Sequence, residues 1–364
     1  MLRQAGIGSR SDQRQQPIGN NRRVESYVLV QAPSANRVYA QATPKLAAAE
    51  LSLTMPAARD VRPSQLAGVP AVEFRAEPKG VERFVMPSTG LLLFRRVDEL
   101  LAPVGVGDSD FFPDDLVTIP KYQGKTNEAF TRLLLTLTLS QSAGDGQLDV
   151  LDPMAGRGTT LLSAWQLGHN GYGVETEQRS VEALEAFIKT YLRRGRYKHD
   201  ATNSPVRREG RSLGRRLDVN VRLPERKLAM TVFTGDTLDS AKLFGKKQFD
   251  VIVTDAPYGV VHGSTTHRPT SHKTASNRSG AAQSANRSRS PEELLAAAIP
   301  VWATQLRPGG ALGIAWNILG LPRERLVGML RASGLEARDE GPWRDFEHRV
   351  DSSIVRDLVV ASRA

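Results

Sequence analysis

The chain has 364 residues, with 49 Lys and Arg against 39 Asp and Glu and no cysteine. That length holds one large domain plus a smaller one, the formal charge of +10 favours a polyanionic partner, and the missing thiols exclude disulfides, thiolate metal sites and cysteine nucleophiles. The six histidines show no HxxxH or HExxH spacing, which argues against a catalytic metal, and no apolar run reaches the roughly 18 residues of a membrane span, so a cytosolic setting is expected.

Residues 1 to 23, rich in Gln, Arg, Ser, Gly and Asn, read as a disordered leader because they cannot bury enough apolar area to offset ordering entropy. A strand over Tyr27 to Gln31, an Ala/Leu-rich helix over Pro44 to Leu53, and strands over Val69 to Phe74 and Leu91 to Phe94 predict a small α+β domain spanning about residues 24–105. It either supports the larger domain or docks substrate. From Asp149 the pattern alternates. Leu148 to Leu151, Gly171 to Glu175, Thr231 to Thr234, Phe249 to Thr254 and Ala311 to Trp316 read as strands, interleaved with helices over Thr159 to Leu167, Ser180 to Arg193 and Pro291 to Leu306, the last capped by Ser290. A helix over Arg323 to Ser333 and strands over Leu335 to Glu340 and Ile354 to Ala361 complete a doubly wound α/β domain at about 110–364.

Two basic insertions interrupt the alternation. Residues 195–230 carry Arg207, Arg208, Arg211, Arg215, Arg216, Arg222 and Arg226, and residues 262–290 contain no acid; both are expected as solvated, mobile loops, the second well placed to grip a substrate. With Arg193, Arg194, Arg196 and Lys198 they can supply phosphate contacts that are blind to sequence.

The segment Val150-Leu-Asp-Pro-Met-Ala-Gly-Arg-Gly-Thr sets an acid and two glycines between a buried strand and a helix, where free N–H groups can meet a ligand. A Walker loop requires a lysine that Arg157-Gly158-Thr159 lacks, and a dinucleotide fingerprint requires a third glycine where Leu161 stands. Further on, Phe249-Asp-Val-Ile-Val-Thr-Asp-Ala-Pro-Tyr-Gly runs a buried strand into a proline-aromatic turn at the sheet edge where open α/β sheets bind ligands. An exocyclic base amine is a poor nucleophile, since its lone pair is delocalised, and acceptors for its hydrogens favour the attacking form. Asp255 offers a carboxylate and Ala256 a main-chain carbonyl for this, Pro257 stiffens the turn, and Tyr258 can stack on the base.

The Asp-x-x-x-Gly-x-Gly segment resembles the first motif of Rossmann-fold methyltransferases, and Asp-Ala-Pro-Tyr resembles the Asp/Asn-Pro-Pro-Tyr/Phe motif of amino-group methyltransferases, with Ala256 in place of the first proline. The stretch Tyr122-Gln-Gly-Lys-Thr-Asn-Glu-Ala-Phe-Thr is similar to the lead-in helix of the tRNA guanine-N2 methyltransferases of the THUMP-associated RNA methylase superfamily and their bacterial relatives. The likeness covers about residues 110–362. It implies a Rossmann-like methyltransferase sheet, S-adenosylmethionine as cofactor, and tRNA as the favoured partner. It places Lys125, Thr126, Asn127 and Asp152 by the methionine end, Pro153, Ala155, Gly156, Gly158 and Thr159 in the close-packed turn, Glu175 on the ribose hydroxyls and Asp236 by the adenine amine. The N-terminal part is too short for a full THUMP-containing module. DNA adenine or cytosine methylation shares the catalytic turn, protein glutamine methylation uses Asn in place of Asp255, and a silent RNA-binding module would keep the fold without the chemistry.

Overall fold

The computed structural model describes residues 24–34, 37–81, 84–107, 110–122, 124–208, 211–257 and 290–364. The expected leader, the 262–290 insertion and Tyr258 lie outside the described residues. Among those described, no helix is long and apolar enough to cross a membrane.

Strands β1 (Glu25–Gln31), β2 (Arg59–Leu66), β3 (Val69–Ala76), β4 (Gly90–Val97) and β5 (Leu100–Val104) form an antiparallel sheet in the order β2-β3-β1-β4-β5. Helix α1 (Arg37–Thr54) packs on it, joining Ala47, Ala48 and Leu51 to Tyr27, Leu29, Val72, Phe74 and Leu93. This helix starts seven residues before Pro44, the expected first residue. The sequence places Pro44 at a helix start by its missing N–H, but burial of Tyr39 against Phe130 and His348 holds about two further turns ahead of it. Strands β2 and β5 escaped the sequence reading, because Arg59 to Leu66 is polar and Leu100 to Val104 short and half-exposed. Glu50 on α1 is fully buried and accepts hydrogen bonds from the Ser88 N–H at 3.0 Å and the Ser88 hydroxyl at 2.6 Å. Burial raises its pKa to about 7 against the opposing hydrogen bonds from Ser88.

After the short helices α2 (Pro78–Val81) and α3 (Asp115–Thr118), α4 (Glu128–Leu139) leads into the second sheet. Its strands are β6 (Asp149–Asp152), β7 (Asn170–Glu175), β8 (Lys198–Arg208), β9 (Arg211–Arg222), β10 (Lys227–Thr234), β11 (Phe249–Asp255), β12 (Leu306–Asn317), β13 (Leu335–Arg338), β14 (His348–Arg349) and β15 (Val355–Arg363). They lie in the order β13-β15-β12-β11-β6-β7-β10-β9-β8, with β14 paired to β15. The five parallel strands β10-β7-β6-β11-β12 give the 3-2-1-4-5 order of a doubly wound, Rossmann-like sheet, with its switch point between β6 and β11. The expected fold class is therefore the one found.

Helices α4, α5 (Thr159–Gln166) and α6 (Gln178–Arg194) pack the apolar side chains of one face, whereas α7 (Ser240–Phe244), α8 (Pro291–Gln305) and α9 (Arg323–Ala332) serve the other. Ser290 caps α8 as expected, with a reciprocal bond to Glu293. At the amino ends of β6 and β11, Lys247 and Arg307 bind Asp149 at 2.9 and 3.1 Å, and Arg307 also binds Asp250. These acids tie the floor of the sheet and leave the opposite edge for chemistry.

The 195–230 segment corrects the loop expected there. It forms the β8–β9 hairpin, antiparallel to β10 from Lys227↔Arg222 to Phe233↔Arg216. Leu217, Val219 and Val221 are buried against α6 while Arg216, Asp218, Asn220 and Arg222 alternate with them, so the period of two was present beneath the arginines. The hairpin continues past the end of β10. There a Cβ on Gly214 would lie 2.0 Å from the Thr234 carbonyl oxygen, so only glycine allows this approach.

Candidate active site

At the carboxyl edge, where β6, β7, β10 and β11 end, a cleft of about 280 Å³ is lined by Pro153, Met154, Val174, Glu175, Thr176, Gly235, Thr237, Asp255, Pro257 and Leu294. A larger polar groove of about 540 Å³, between the starts of β6, β7, β8 and β10 and the end of β9, lies at the opposite edge, away from every motif. Topology explains the cleft: crossover helices leave on opposite faces at the switch point, so the loops after β6 and β11 separate.

The turn after β6 is built on main-chain bonds. Ala155 donates its N–H to the Val174 carbonyl at 2.9 Å, and Gly158 donates to the Ala155 carbonyl at 2.7 Å. Gly158 caps α5 in a left-handed conformation at φ +82. A Cβ on Gly156 would meet nothing within 4 Å, so the turn leaves open space there. The Gly156 N–H goes to Glu175 Oε2 at 2.8 Å, and Glu177 N–H goes to Glu175 Oε1 at 2.7 Å. Thr159 meets the Tyr122 hydroxyl at 2.9 Å, and Arg157 lies 4.8 Å from the centre of the Tyr122 ring.

Asp152 ends β6 beneath this turn, 3% exposed. Its Oδ1 accepts from the Met154 N–H at 3.0 Å and the Thr254 hydroxyl at 3.0 Å. Burial raises its pKa to about 6, opposed by those bonds and one from Thr160. Asp236 caps the 3-10 turn at Thr237–Asp239 by accepting from the Leu238 N–H at 2.9 Å, so its neighbours Gly235 and Thr237 rather than Asp236 itself line the cleft.

The lead-in segment divides by role. Lys125 is nearly buried and donates to the Val117 and Pro120 carbonyls at 2.5 and 2.7 Å and to Glu128, so its ammonium ties down the loop that carries it. Asn127 is the N-cap of α4, accepting from the Ala129 and Phe130 N–H groups at 3.0 and 3.2 Å. Thr126 reaches across to donate its hydroxyl to Asp255 Oδ2.

Asp255 ends β11 on the α4 side of the sheet. Ala256 extends the ladder by donating to the Ala315 carbonyl at 2.8 Å, and Pro257 begins the turn. The residue that sequence reasoning missed is Arg356 at the start of β15, whose guanidinium lies 3.7 Å from Asp255 Oδ2. No local motif marks it. Trp343 and Phe346, which sequence reading left between base pocket and core, are core: they pack with Tyr39, Phe130 and Leu358.

No known protein family matches the chain, and no curated protein matches it. Similar solved structures include a TehB-like SAM-dependent methyltransferase from Corynebacterium glutamicum, 13% identical, covering 64% of this chain and 87% of that one with a TM-score of 0.34. TrmN from Thermus thermophilus is 12% identical, with 84% of this chain and 59% of that one covered and a TM-score of 0.38. The Thermus thermophilus 16S rRNA N2 G1207 methyltransferase RsmC, in complex with AdoMet and guanosine, is 16% identical, with 83% and 57% covered and a TM-score of 0.36.

Proposed function

We propose that the chain is an S-adenosylmethionine-dependent methyltransferase acting on an exocyclic amino group of a nucleic-acid base, guanine N2 in tRNA before others. The observation that carries this is the cleft itself: Glu175, suited to a ribose, and Asp255, suited to an amine, line one space at the carboxyl edge.

The residues present fit the cofactor. Glu175 has about four lone-pair directions; the Gly156 N–H occupies one on Oε2 and the Glu177 N–H one on Oε1, while the Thr176 hydroxyl makes only a long 3.3 Å bond to Oε1 from an exposed side chain that a ribose hydroxyl would displace. That leaves capacity for the two ribose hydroxyls, while the open space at Gly156 admits close approach. Asp152 sits buried beneath the turn and outside the cleft lining, so its charge would act on a bound ammonium group through space. When bound, the cofactor supplies a sulfonium methyl, an electrophile that needs no metal.

Asp255 then acts on the nucleophile. Its carboxylate accepts a hydrogen of the base amine, which favours the pyramidal form with its lone pair available along the line of attack. Transfer would form the nitrogen–carbon bond as the sulfonium's carbon–sulfur bond breaks to leave a neutral thioether; the Asp255 carboxylate would stabilise the resulting cationic amine until its surplus proton passes to solvent. The net charge of +10 supports a polyanionic partner, and specific RNA methylation requires an unstacked, accessible base.

The test incubates the protein and an Asp255→Ala variant with radiolabelled S-adenosylmethionine and, separately, unmodified tRNA, ribosomal RNA and duplex DNA, followed by digestion to nucleosides. Label in tRNA as methylguanosine, lost in the variant while cofactor binding persists, supports the proposal. Label confined to DNA adenine or cytosine changes the substrate class, and loss of binding together with transfer overturns the role given to Asp255.

A further inference from the structure

Arg356 lies about a hundred residues beyond the catalytic turn, on an antiparallel strand, and reaches the same carboxylate. We infer that Arg356 is a positioning residue for methyl transfer: together with Thr126 it fixes the Asp255 carboxylate in one orientation and balances its charge, so that the acceptor for the base amine is set before substrate arrives. The inference rests on the function proposed above.

The topology explains how a strand start comes to serve the site. Parallel strands deliver their last residues to the carboxyl edge, whereas β15 runs the other way and delivers its first. Register makes this concrete: Asp255 pairs with Ala315, Ala315 with Leu358, and Asn317 with Arg356. Arg356 therefore lies one strand beyond β12 and two residues past the level of Asp255. The residue between them, Ala315, carries only a methyl group, which leaves a path for the guanidinium.

The energetics favour a fixed pair. The side chains of Arg356 and Asp255 are 5% and 21% exposed, and a cation removed from water is costly unless an anion and further contacts compensate it. At 3.7 Å the contact is an ion pair rather than a short hydrogen bond. A directional bond to the carboxylate comes from Thr126. Beneath the guanidinium, 4.7 Å away, lies the ring of Phe130, a face that attracts cations.

One short segment thus serves both members of the pair. Thr126 holds the anion, Asn127 starts the helix by binding the Phe130 N–H, and Phe130 carries the cation. His348 packs at 5.1 Å from Phe130, and burial above all, with help from the charge of Arg356, lowers its pKa to about 4. At neutral pH it is uncharged and does not compete for Asp255.

The experiment is a double-mutant cycle in the full-length protein with Arg356→Met and Asp255→Asn, singly and together, plus Arg356→Lys. An amide oxygen still accepts a hydrogen bond, so Asp255→Asn should retain measurable transfer. The readouts are single-turnover rate, cofactor Kd by calorimetry, and the unfolding equilibrium in urea. Expected is a slowing of about 30-fold or more for Arg356→Met with cofactor Kd within about twofold, and less than about threefold further loss when Asp255→Asn is already present. Arg356→Lys should recover part of the rate, as a point charge without the planar fork. In urea, Arg356→Met should raise the unfolding constant about tenfold or more in the Asp255 protein and clearly less in the Asp255→Asn background. Equal factors in both backgrounds overturn the inference. If the wild-type protein methylates no nucleic acid, the proposed function fails, and the unfolding cycle alone then decides: coupling upholds the hold of Arg356 on Asp255, and its absence overturns it.

Discussion

Glu175 Oε2 accepts the Gly156 N–H across 2.8 Å, so a single carboxylate ties the end of β7 to the turn after β6. Its other oxygen anchors the start of the next turn through the Glu177 N–H. A Glu175→Gln change replaces one acceptor with a donor facing an N–H group and removes the charge that would hold ribose hydroxyls. Cofactor Kd should rise about 10- to 100-fold, about 1.4–2.7 kcal/mol, as measured by calorimetry. An unchanged Kd would place the ribose elsewhere.

Asp152 gives a pH signature to cofactor binding. Its pKa of about 6 in the free protein comes chiefly from burial. A bound ammonium group favours the ionised form, so binding below about pH 6 must release a proton, and affinity should rise with pH until Asp152 is ionised. Calorimetry at pH 5.5 in buffers of about equal strength but different ionisation enthalpy reads the proton directly. Binding without proton release at that pH would contradict the assignment.

Glu50 makes a separate, structural prediction. Its pKa in the folded chain is raised to about 7 from the ordinary 4.5, mainly by burial. Because the folded form binds the proton more tightly, this contribution is fully present below about pH 4.5 and is lost as pH rises through about 7. Urea denaturation of the wild type should therefore lose about 2–3 kcal/mol more between those limits than the Glu50→Gln variant does. The variant keeps an amide oxygen for the Ser88 N–H. Parallel curves for the two proteins would show that Glu50 does not titrate in this window.

Gly214→Ala should damage the hairpin. The new methyl meets a main-chain oxygen, which cannot swing aside as a side chain would, and φ at this position is +115. A loss of about 2–4 kcal/mol is expected, read as a lower Tm and as faster hydrogen exchange along β9. A variant as stable as the wild type would mean that β9 relaxes away from Thr234 at no cost.

Much of this architecture was legible because its signals are local. Strand–turn–helix segments with Asp152, Gly156 and Gly158, the strand-ending Glu175 and the Asp-Ala-Pro turn each lie within a dozen residues, and apolar runs place them at one edge. Long-range placements were not. Arg356 reaches Asp255 only because β15 is antiparallel and lies next to β12, a fact of sheet order that no spacing records. Lys125 resembled a cofactor residue by position, yet its ammonium is taken up by Val117, Pro120 and Glu128. The arginines of residues 195–230 mask a strand alternation, since they outnumber the inward-facing Leu217, Val219 and Val221.

The hairpin also changes what the molecule shows at its rim. Without it, β10 would end the sheet with Leu228, Met230 and Val232 beside an open row of N–H and C=O groups. Those groups are instead paired with β9, and the outermost strand, β8, carries Lys198, Pro205 and Arg207. Charges and proline are the residue types that refuse an added strand. A chain shortened by residues 198–222 would thus present a sticky apolar border and self-associate, which makes these basic strands a guard against aggregation whatever else they bind.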